Sequence, residues 1–475
     1  MKLPLKLLTI LGALLIFSVS ACAQGTPAPL TGDWTGSLSF SGMTVRIVFR
    51  FTPKPDGTLT ATFYSPDQGA VGVPFDTARI SGSAVHLEAV SIGGSFDGTL
   101  DTAGKTLTGH LMQHGNSLPL TLTRTDHVAG LDRPQEPHPP FPYTSMDVTF
   151  PGGAAGVTLA GTLTTPPGAG PFPAVVLIAG SGRVDRDETG FGHKIFLLLA
   201  DTLTRRGVAV LRYDKRGVEK STGSYALATT KDFAADADAA VNFLKTQTVI
   251  DPKRTGLLGH SEGGVIAPLV ASEHPADIAF VVLLAGPGMK GEKILLAQQV
   301  LAGKAEGASD ADIKENTVVS KELFDLDAQE PSLAVVQAKA QKIILAALTP
   351  KEKREVGDPV QFAQKQMRPL LSPWFRYFLT YDPAPALQKT RCPVLAIDGS
   401  KDVQVPPAED LALIGEALLA GGNTNVTIRE LPNLNHLLQT SVTGSPSEYA
   451  KITETMAPSA LAIIGDWVAG QAGTR

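Results

Sequence analysis

The spacing of apolar residues divides the chain into two regions with different periods. Between about residues 30 and 125, short runs rich in Thr, Val, Leu and Phe alternate with turn signals such as Pro-Asp-Gly at 55–57 and Ala-Gly-Lys at 103–105. Runs at this hairpin spacing, without a sustained 3.6-residue period, are typical of antiparallel strands. The sequence therefore predicts an all-β module over residues 24–130 (the β module), built as a small barrel or a sandwich.

A second pattern begins near residue 145. MDVTFPG and VTLAGTLTTP predict an antiparallel hairpin, and later runs such as FPAVVLIAG and CPVLAIDG are continuously apolar, as expected of strands buried on both faces. Helical segments such as DFAADADAAVNFLKTQ separate several of these runs. Residues 145–475 are thus predicted to form an α/β domain with a mostly parallel sheet, joined to the β module by a proline-rich linker, 131–144.

One segment interrupts the α/β alternation. Residues 288–385 contain helix-like stretches and no clear strand, which predicts a helical insertion over the site (the cap). Its last part is rich in aromatic residues, among them Trp374, Phe375 and Phe378. These side chains either form the core of the cap or wall a substrate pocket.

The N-terminus has the features of a targeting segment. Lys2 and Lys6 precede an apolar run, 7–19, which predicts a signal peptide over residues 1–23. Ala-Cys-Ala at 21–23 fits ordinary cleavage, whereas Val-Ser-Ala-Cys at 19–22 resembles a bacterial lipobox that would leave a lipid on Cys22. We expect an exported bacterial protein that is periplasmic, an outer-membrane lipoprotein or secreted, and that meets a membrane only through such an anchor.

Composition narrows the choice of partner. The net charge is −5, charged residues make up 18% of the chain, and there is no basic stripe. These values argue against a nucleic-acid partner and fit a globular protein that acts on a small molecule.

The candidate chemistry centres on Gly259-His260-Ser261-Glu262-Gly263. By itself G-x-S-x-G is a weak signal in a chain with 47 glycines. Here, however, the strand-like TGLLG precedes Ser261 and the helix-like GGVIAPLVASEH follows it. A strand, a tight turn and a helix are the setting of a nucleophile elbow, so we expect Ser261 to be a nucleophile.

A serine nucleophile needs a base and an orienting acid, which follow it in the order acid, then histidine, in this type of site. Asp398 and Asp402 follow one predicted strand, and His436 follows the last one. We predict Asp402 as the acid, because Asp398 lies nearer the strand and is suited to bind backbone amides of the turn. His436 is the predicted base, in preference to His193, His260 and His274.

An oxyanion needs two backbone donors. The predicted donors are the N–H of Glu262, the residue after the nucleophile, and that of Ser181, with Gly182 as the second choice. The charged run 185–188 and the RYDKRG segment, 212–217, are interpreted chiefly as ion pairs. The alternative for 185–188 is a contact with a polar end of the substrate.

With these residues identified, the chain resembles the α/β-hydrolase superfamily. More narrowly, it is similar to secreted bacterial esterases related to proline-iminopeptidase-like serine aminopeptidases. The motifs that carry the resemblance, over about 145–475, are GHSEGG, GSG followed by DRDE, LRYDKRG, and DGSKDVQVPP with NLNH. The family's usual His-Gly before the oxyanion donors is Ala179-Gly180 here. The resemblance implies hydrolysis of carboxylic esters.

The sequence therefore leaves three candidate functions. The first is a serine carboxylesterase for small to medium acyl esters that works through an acyl-enzyme without metal or cofactor. The second is an exopeptidase of the aminopeptidase kind, in which acidic residues of 185–188, or Glu262, would bind a free α-amine. The third is an envelope binding protein with a degenerate hydrolase domain.

Overall fold

The computed structural model describes residues 30–40, 43–54, 56–65, 70–113, 116–126 and 133–474. The predicted signal peptide and Cys22 lie outside these residues. No helix in the described part of the chain has the length and apolarity needed to cross a bilayer.

The first region forms one antiparallel sheet of nine strands with the order β4-β3-β2-β1-β9-β8-β7-β6-β5. The strands are β1 (Gly32–Phe40), β2 (Met43–Pro53), β3 (Leu59–Ser65), β4 (Ala70–Pro74), β5 (Thr77–Ser81), β6 (Ala84–Ala89), β7 (Gly94–Leu100), β8 (Thr106–Gln113) and β9 (Asn116–Thr125). The two edge strands, β4 and β5, are consecutive in the chain and are joined by only residues 75–76, so the sheet curls until its two ends approach each other. A single curled sheet corresponds to the barrel alternative rather than the sandwich.

The inward face of this sheet follows the two-residue period seen in the sequence. On β2, Val45, Ile47, Phe49 and Phe51 are buried in one cluster, whereas Arg50 points outward and pairs with Asp33 at 2.6 Å. Phe49 lies at the centre, edge-on to two further phenylalanine rings at 5.1 Å. The interior of the β module is therefore filled by its own side chains.

The second region contains an eight-stranded sheet with the order β10-β11-β15-β12-β16-β17-β18-β19. Its strands are β10 (Thr144–Pro151), β11 (Thr158–Thr165), β12 (Phe172–Ile178), β15 (Ala209–Tyr213), β16 (Ile250–His260), β17 (Val281–Leu284), β18 (Val394–Gly399) and β19 (Val426–Leu431), and a two-residue ribbon adds β13 (Thr189–Gly190) and β14 (His193–Lys194). Strands β10 and β11 form the predicted hairpin, β11 and β15 are antiparallel, and all later pairs are parallel. The direction of winding reverses at β12, which lies between β15 and β16, so a crevice opens at its carboxyl end.

Thirteen α-helices accompany this sheet in the described residues: α1 (Ile195–Thr204), α2 (Thr230–Lys245), α3 (Glu262–Glu273), α4 (Gly291–Ala305), α5 (Asp310–Gln329), α6 (Leu333–Ala347), α7 (Pro350–Glu355), α8 (Pro359–Met367), α9 (Pro373–Thr380), α10 (Ala384–Lys389), α11 (Pro407–Ala420), α12 (Pro446–Tyr449) and α13 (Pro458–Ala472). Helices α2, α3 and α11 cover one face of the sheet, and α1 and α13 cover the other. Along β12, Val176 packs into the first layer and Val175 and Leu177 into the second. Burial on both faces explains the continuous apolar runs.

Helices α4 to α9 form the cap between β17 and β18. They share a buried cluster that includes Leu323, Phe324, Ile344 and Phe378. The same cluster includes Val265, on α3, so the cap packs directly on the helix that follows Ser261.

The described part of the linker, residues 133–144, is docked along the α/β domain. The Arg133 guanidinium donates to the carbonyls of Phe191, Gly192 and Ala450 at 3.0–3.1 Å. The Gln135 side chain donates to the Met456 carbonyl at 2.8 Å and accepts from the Thr455 amide at 2.6 Å. These contacts use two separate loops of the domain, which holds the linker in place.

Arg133→Ala should increase proteolytic cleavage of the linker several-fold, because three backbone contacts are lost and locally opened states become more populated. The measurement is limited digestion with proteinase K, with cleavage sites mapped by mass spectrometry. His138→Ala, at an exposed linker position, is the control and should be cleaved like the parent protein. Equal rates for all three proteins would contradict the docked linker.

Candidate active site

Ser261 lies in a sharp turn between β16 and α3. Its backbone has φ 54° and ψ −118°, a region that residues other than glycine rarely adopt. The Ser261 amide donates to the Leu284 carbonyl of the neighbouring strand at 2.9 Å, which holds the turn on the sheet. Such a conformation costs on the order of 1–3 kcal/mol and persists only where the surrounding structure enforces it, as in a nucleophile elbow.

The two glycines of the motif are required by close backbone contacts. A Cβ at Gly259 would lie 1.9 Å from the Gly263 carbonyl oxygen, and a Cβ at Gly263 would lie 2.0 Å from the Ile178 carbonyl oxygen. No side chain fits at these distances. The turn therefore packs against its own helix and against the end of β12.

The predicted acid and base lie next to each other on the loops after β18 and β19. His436 Nδ1 is 2.6 Å from Asp402 Oδ2, and both side chains are at least 95% buried. Asp402 Oδ1 accepts the amides of Gln404 at 2.7 Å and Val405 at 2.9 Å, so the carboxylate is fixed. With Nδ1–H donating to Asp402, His436 Nε2 is left as the basic nitrogen.

Asp398 occupies the turn itself. Its Oδ1 accepts the Gly399 amide at 2.7 Å. Burial and the neighbouring Asp402 carboxylate raise the pKa of Asp398 well above its ordinary value. Of the two aspartates, Asp402 is the one bonded to His436.

The loop after β12, residues 179–182 (the oxyanion loop), lies beside the turn because Ile178 on β12 is paired with Gly259 on β16. A Cβ at Gly180 would be 3.1 Å from Ser261 Cβ. The Gly180 amide is already used, since it donates to Glu188 Oε1 at 2.7 Å. Among the described residues, the amides of Ser181 and Glu262 donate to no protein acceptor, which leaves both available to an oxyanion.

The orientation of the Ser181 amide follows from peptide geometry. Lys215 Nζ donates to the Gly180 carbonyl at 2.6 Å. In a trans peptide the C=O of one residue and the N–H of the next point in opposite directions. Since Lys215 holds this carbonyl on one side of the loop, the Ser181 N–H is directed to the other side.

Lys215 also pairs with the side chain of Glu262, a contact that the sequence did not predict. Glu262 is 2% exposed, and its carboxylate accepts from Lys215 Nζ at 3.0 Å, Thr230 Oγ1 at 2.8 Å and Trp374 Nε1 at 2.6 Å. The network joins the residue after Ser261 to three other elements. Removing one partner from such a buried pair costs about 3–5 kcal/mol.

The three predicted pocket residues of α9 have different environments. Trp374 reaches the turn through its bond to Glu262, and its ring stacks on Phe378 with centroids 5.3 Å apart. Phe375 points the other way, into the cap core beside Phe324, and is 1% exposed. The assignment of these three residues to a substrate pocket stays a prediction.

The remaining histidines are placed away from the proton-transfer position. His193 is buried between Thr455 and the Tyr449 carbonyl at 3.0 Å each, and burial lowers its pKa to about 4. His274 is partly exposed, 3.6 Å from Asp238. The His260 ring nitrogens lie next to Glu188 Oε1 and the His436 carbonyl oxygen.

The charged segments interpreted as ion pairs do form such pairs. Arg186 bonds Asp214 at 2.7 Å, and Asp187 bonds Arg212 at 2.7 Å. Arg216 bonds Asp236 at 2.6 Å. Within 185–188, Asp185 instead caps its own turn by accepting the amide and hydroxyl of Thr189 at 2.8 Å. These bonds hold residues 185–188, which follow the oxyanion loop in the chain, on the domain.

Gly259→Ala should lower the free energy of unfolding by about 1–3 kcal/mol or more, because the new Cβ meets backbone that cannot yield. It should also slow the labelling of Ser261 by a fluorophosphonate. Gly415→Ala is the control: it lies in α11 with only Ile428 side-chain atoms, 3.8 Å away, near the new Cβ, and should stabilise the helix by up to about 1 kcal/mol. Urea unfolding and labelling kinetics measure both effects, and similar behaviour of the two variants would refute the tight turn.

Asp402→Asn should slow fluorophosphonate labelling of Ser261 on the order of 10³–10⁴-fold, because an amide leaves His436 in the wrong tautomer. Asp398→Asn should have a much smaller effect, since Asp398 bonds the Gly399 amide in the turn and it is Asp402 that bonds His436. Labelling is followed at pH 7 by intact-protein mass spectrometry. A larger loss in Asp398→Asn than in Asp402→Asn would transfer the acid's role to Asp398.

A protein-family model and a bacterial esterase match parts of this chain in sequence. A family model described as "Hydrolase_4: Serine aminopeptidase, S33" matches residues 193–330, a segment that includes Ser261 and ends before Asp402. Esterase EstD of Thermotoga maritima is 30% identical over 313 residues, which are 66% of this chain and 64% of the esterase. The match thus spans a little under two thirds of that relative.

Among solved structures, proline iminopeptidase of Mycobacterium smegmatis has a TM-score of 0.42 at 16% identity, with 69% of this chain and 99% of that chain covered. The esterase Est1E of Butyrivibrio proteoclasticus has a TM-score of 0.39 at 14% identity, with 69% and 99% covered. These similarities are low, and the assignment of the fold rests on the strand order and on the position of the turn after β16. The chain therefore has an α/β-hydrolase fold, and its sequence is similar to serine aminopeptidases of family S33 over residues 193–330 and to a bacterial esterase.

Proposed function

We propose that this protein is a serine carboxylesterase that hydrolyses small to medium acyl esters through an acyl-enzyme. The observation that carries the proposal is the buried Asp402–His436 pair, 2.6 Å apart, on loops that flank the strained turn of Ser261. The sequence similarity to an esterase supports the same class of reaction.

In the first half of the reaction, Ser261 Oγ attacks the ester carbonyl carbon and His436 Nε2 takes the hydroxyl proton. The carbonyl oxygen becomes an oxyanion, which the amides of Ser181 and Glu262 stabilise. The C–O bond to the alcohol then breaks, and His436 returns the proton to the leaving alkoxide. Asp402 keeps the imidazole in the required tautomer and balances its transient charge.

In the second half, water attacks the acyl-enzyme carbonyl while His436 takes one of its protons. The bond to Ser261 Oγ breaks, and the serine regains its proton from His436 as the carboxylic acid leaves. Every proton is returned, so the cycle needs no metal or redox group.

The side chains near the turn favour an ester over an aminoacyl substrate. A free α-amine would need an acidic subsite with an available carboxylate, and Glu262 already has three donors. Asp187 and Glu188 are also engaged, by Arg212 and His260. The match to serine aminopeptidases keeps the exopeptidase as the second candidate, to be separated by substrate.

Trp374 and Phe378 are proposed to wall the acyl pocket. The Trp374 ring reaches the turn through its bond to Glu262, stacks on Phe378 and is only partly buried. An apolar wall of this kind suits short and medium acyl chains.

We also propose that the protein is exported, by the signal peptide predicted over residues 1–23, and that Cys22 is a candidate lipid anchor. The proposal rests on the sequence pattern alone.

Purified protein should hydrolyse p-nitrophenyl acetate and butyrate and should leave aminoacyl p-nitroanilides nearly untouched. Ser261→Ala should lower kcat for the esters by at least about 10⁴-fold, since it removes the nucleophile. Ser272→Ala is the matched control on the same helix; its hydroxyl donates to the Leu269 carbonyl, and its kcat should equal that of the parent.

Clear anilide turnover with negligible ester turnover would replace the esterase with the exopeptidase. Absence of turnover on both classes, together with no labelling by fluorophosphonates, would favour the binding-protein hypothesis.

A further inference from the structure

We propose that Glu188 and His260 form a second carboxylate–imidazolium pair, which positions the oxyanion loop and the general base relative to one another. Neither residue touches the reacting atoms, so both are positioning residues. The proposal concerns the same site as the proposed esterase activity and rests on it for the kinetic part of its test.

The protonation of His260 follows from its two partners. Its Nδ1 is 2.9 Å from Glu188 Oε1, and its Nε2 is 3.0 Å from the His436 carbonyl oxygen. A carboxylate and a carbonyl can only accept, so both ring nitrogens must donate and the ring is an imidazolium. Burial opposes this charge, but the Glu188 carboxylate and the His436 carbonyl outweigh it and raise the pKa of His260 above its ordinary value.

Glu188 connects this imidazolium to the oxyanion loop. The same Oε1 that faces His260 accepts the Gly180 amide at 2.7 Å. The backbone of Glu188 has φ 49°, an uncommon conformation that aims its side chain at the loop. A Cβ at Gly180 would meet Ser261 Cβ at 3.1 Å, Glu188 Oε1 at 3.2 Å and His260 Nδ1 at 3.5 Å, so the nucleophile and both members of the pair converge on one glycine.

The result is a continuous chain of hydrogen bonds behind the site. It runs from the Gly180 amide to Glu188, from Glu188 to His260, and from His260 to the main chain of His436. One end holds the loop that presents the Ser181 amide, and the other holds the backbone that carries the base. An ion pair therefore links the loop of the oxyanion donor to the backbone of the base.

The pair also matters for the balance of charge. The His260 and His436 rings are 4.9 Å apart, and the other charged groups facing His260 are Glu188 and Asp402. When His436 takes the serine proton, two imidazolium ions face two carboxylates. Without Glu188 the transient charge on His436 would form beside an unbalanced cation.

The kinetic test uses Glu188→Gln, His260→Gln and the double variant, with kcat expressed per serine titrated by fluorophosphonate. Each single variant should lower kcat for p-nitrophenyl butyrate by about 10-fold or more with little change in KM, and the double variant should be no worse than the poorer single variant, because the two residues act through one link. His193→Gln is the matched control, a buried histidine outside this chain, which should lower stability but not kcat per titrated serine.

The pH profile gives a second readout. His260 has a raised pKa, so the link is complete below that pKa and is lost as pH rises through it. The parent enzyme should therefore lose kcat on the alkaline side, and this limb should be missing in His260→Gln.

The protonation state is tested without any turnover, in Ser261→Ala labelled with ¹⁵N-histidine. Both His260 nitrogens should carry protons at pH 7, and Glu188→Gln should remove one of them. If both His260 nitrogens are protonated but the Glu188 and His260 variants keep the parental kcat and pH profile, the positioning role is wrong. If His260 is neutral, the pair itself is wrong. Failure of ester turnover in the parent would affect the proposed function alone, because the NMR result does not depend on it.

Discussion

The parallel pairing of β12 with β16 is the constraint on which the rest of the site depends. In its register Ile178 is paired with Gly259, so the loop after one strand emerges beside the turn after the other. The turn can approach so closely only because Gly259 and Gly263 lack side chains. The nucleophile and the oxyanion loop are thus neighbours through sheet hydrogen bonds, before any catalytic side chain is considered. The two remaining groups, Asp402 and His436, lie on the loops that follow β18 and β19, beyond β17 in the sheet.

Two buried ion pairs lie beside the oxyanion loop. Glu262 with Lys215 lies on one side of Gly180, and Glu188 with His260 lies on the other. Buried ion pairs contribute little net stability when compared with apolar residues of the same size, but they are strongly directional and costly to break. Here their directionality fixes both polar groups of Gly180, the amide through Glu188 and the carbonyl through Lys215. A loop of small residues with little packing of its own is thereby made rigid.

Much of this arrangement could be predicted from the sequence because the signals are local. The apolar runs define the strands, and the strand–turn–helix context of Ser261 and the chain order of Asp402 and His436 follow from them. The two buried pairs could not be predicted, since Lys215 and Glu262 are far apart in the chain and only the fold brings them together. Glu262 was expected to donate its backbone N–H to the oxyanion or, in the exopeptidase alternative, to bind a free α-amine, and not to pair with Lys215.

A local sequence pattern also does not show which neighbouring element each residue of a cap helix will face. Trp374 and Phe375 are adjacent in sequence, yet successive residues point about 100° apart on a helix, so one faces the catalytic turn and the other the cap core. The choice between barrel and sandwich in the β module was open for a related reason. Strand lengths and turns are visible in a sequence, whereas the curl that brings β5 back to β3 depends on contacts between distant strands.

The bond between Trp374 and Glu262 has a consequence for how such enzymes diversify. It makes α9 the part of the cap that is tied to the catalytic turn, whereas α5 to α8 contact mainly one another and the rest of the cap. Helices of the second kind can change in length and sequence without disturbing the nucleophile. Variation between relatives is therefore expected to accumulate in the outer cap, and α9 is expected to change only together with the residue that follows the serine.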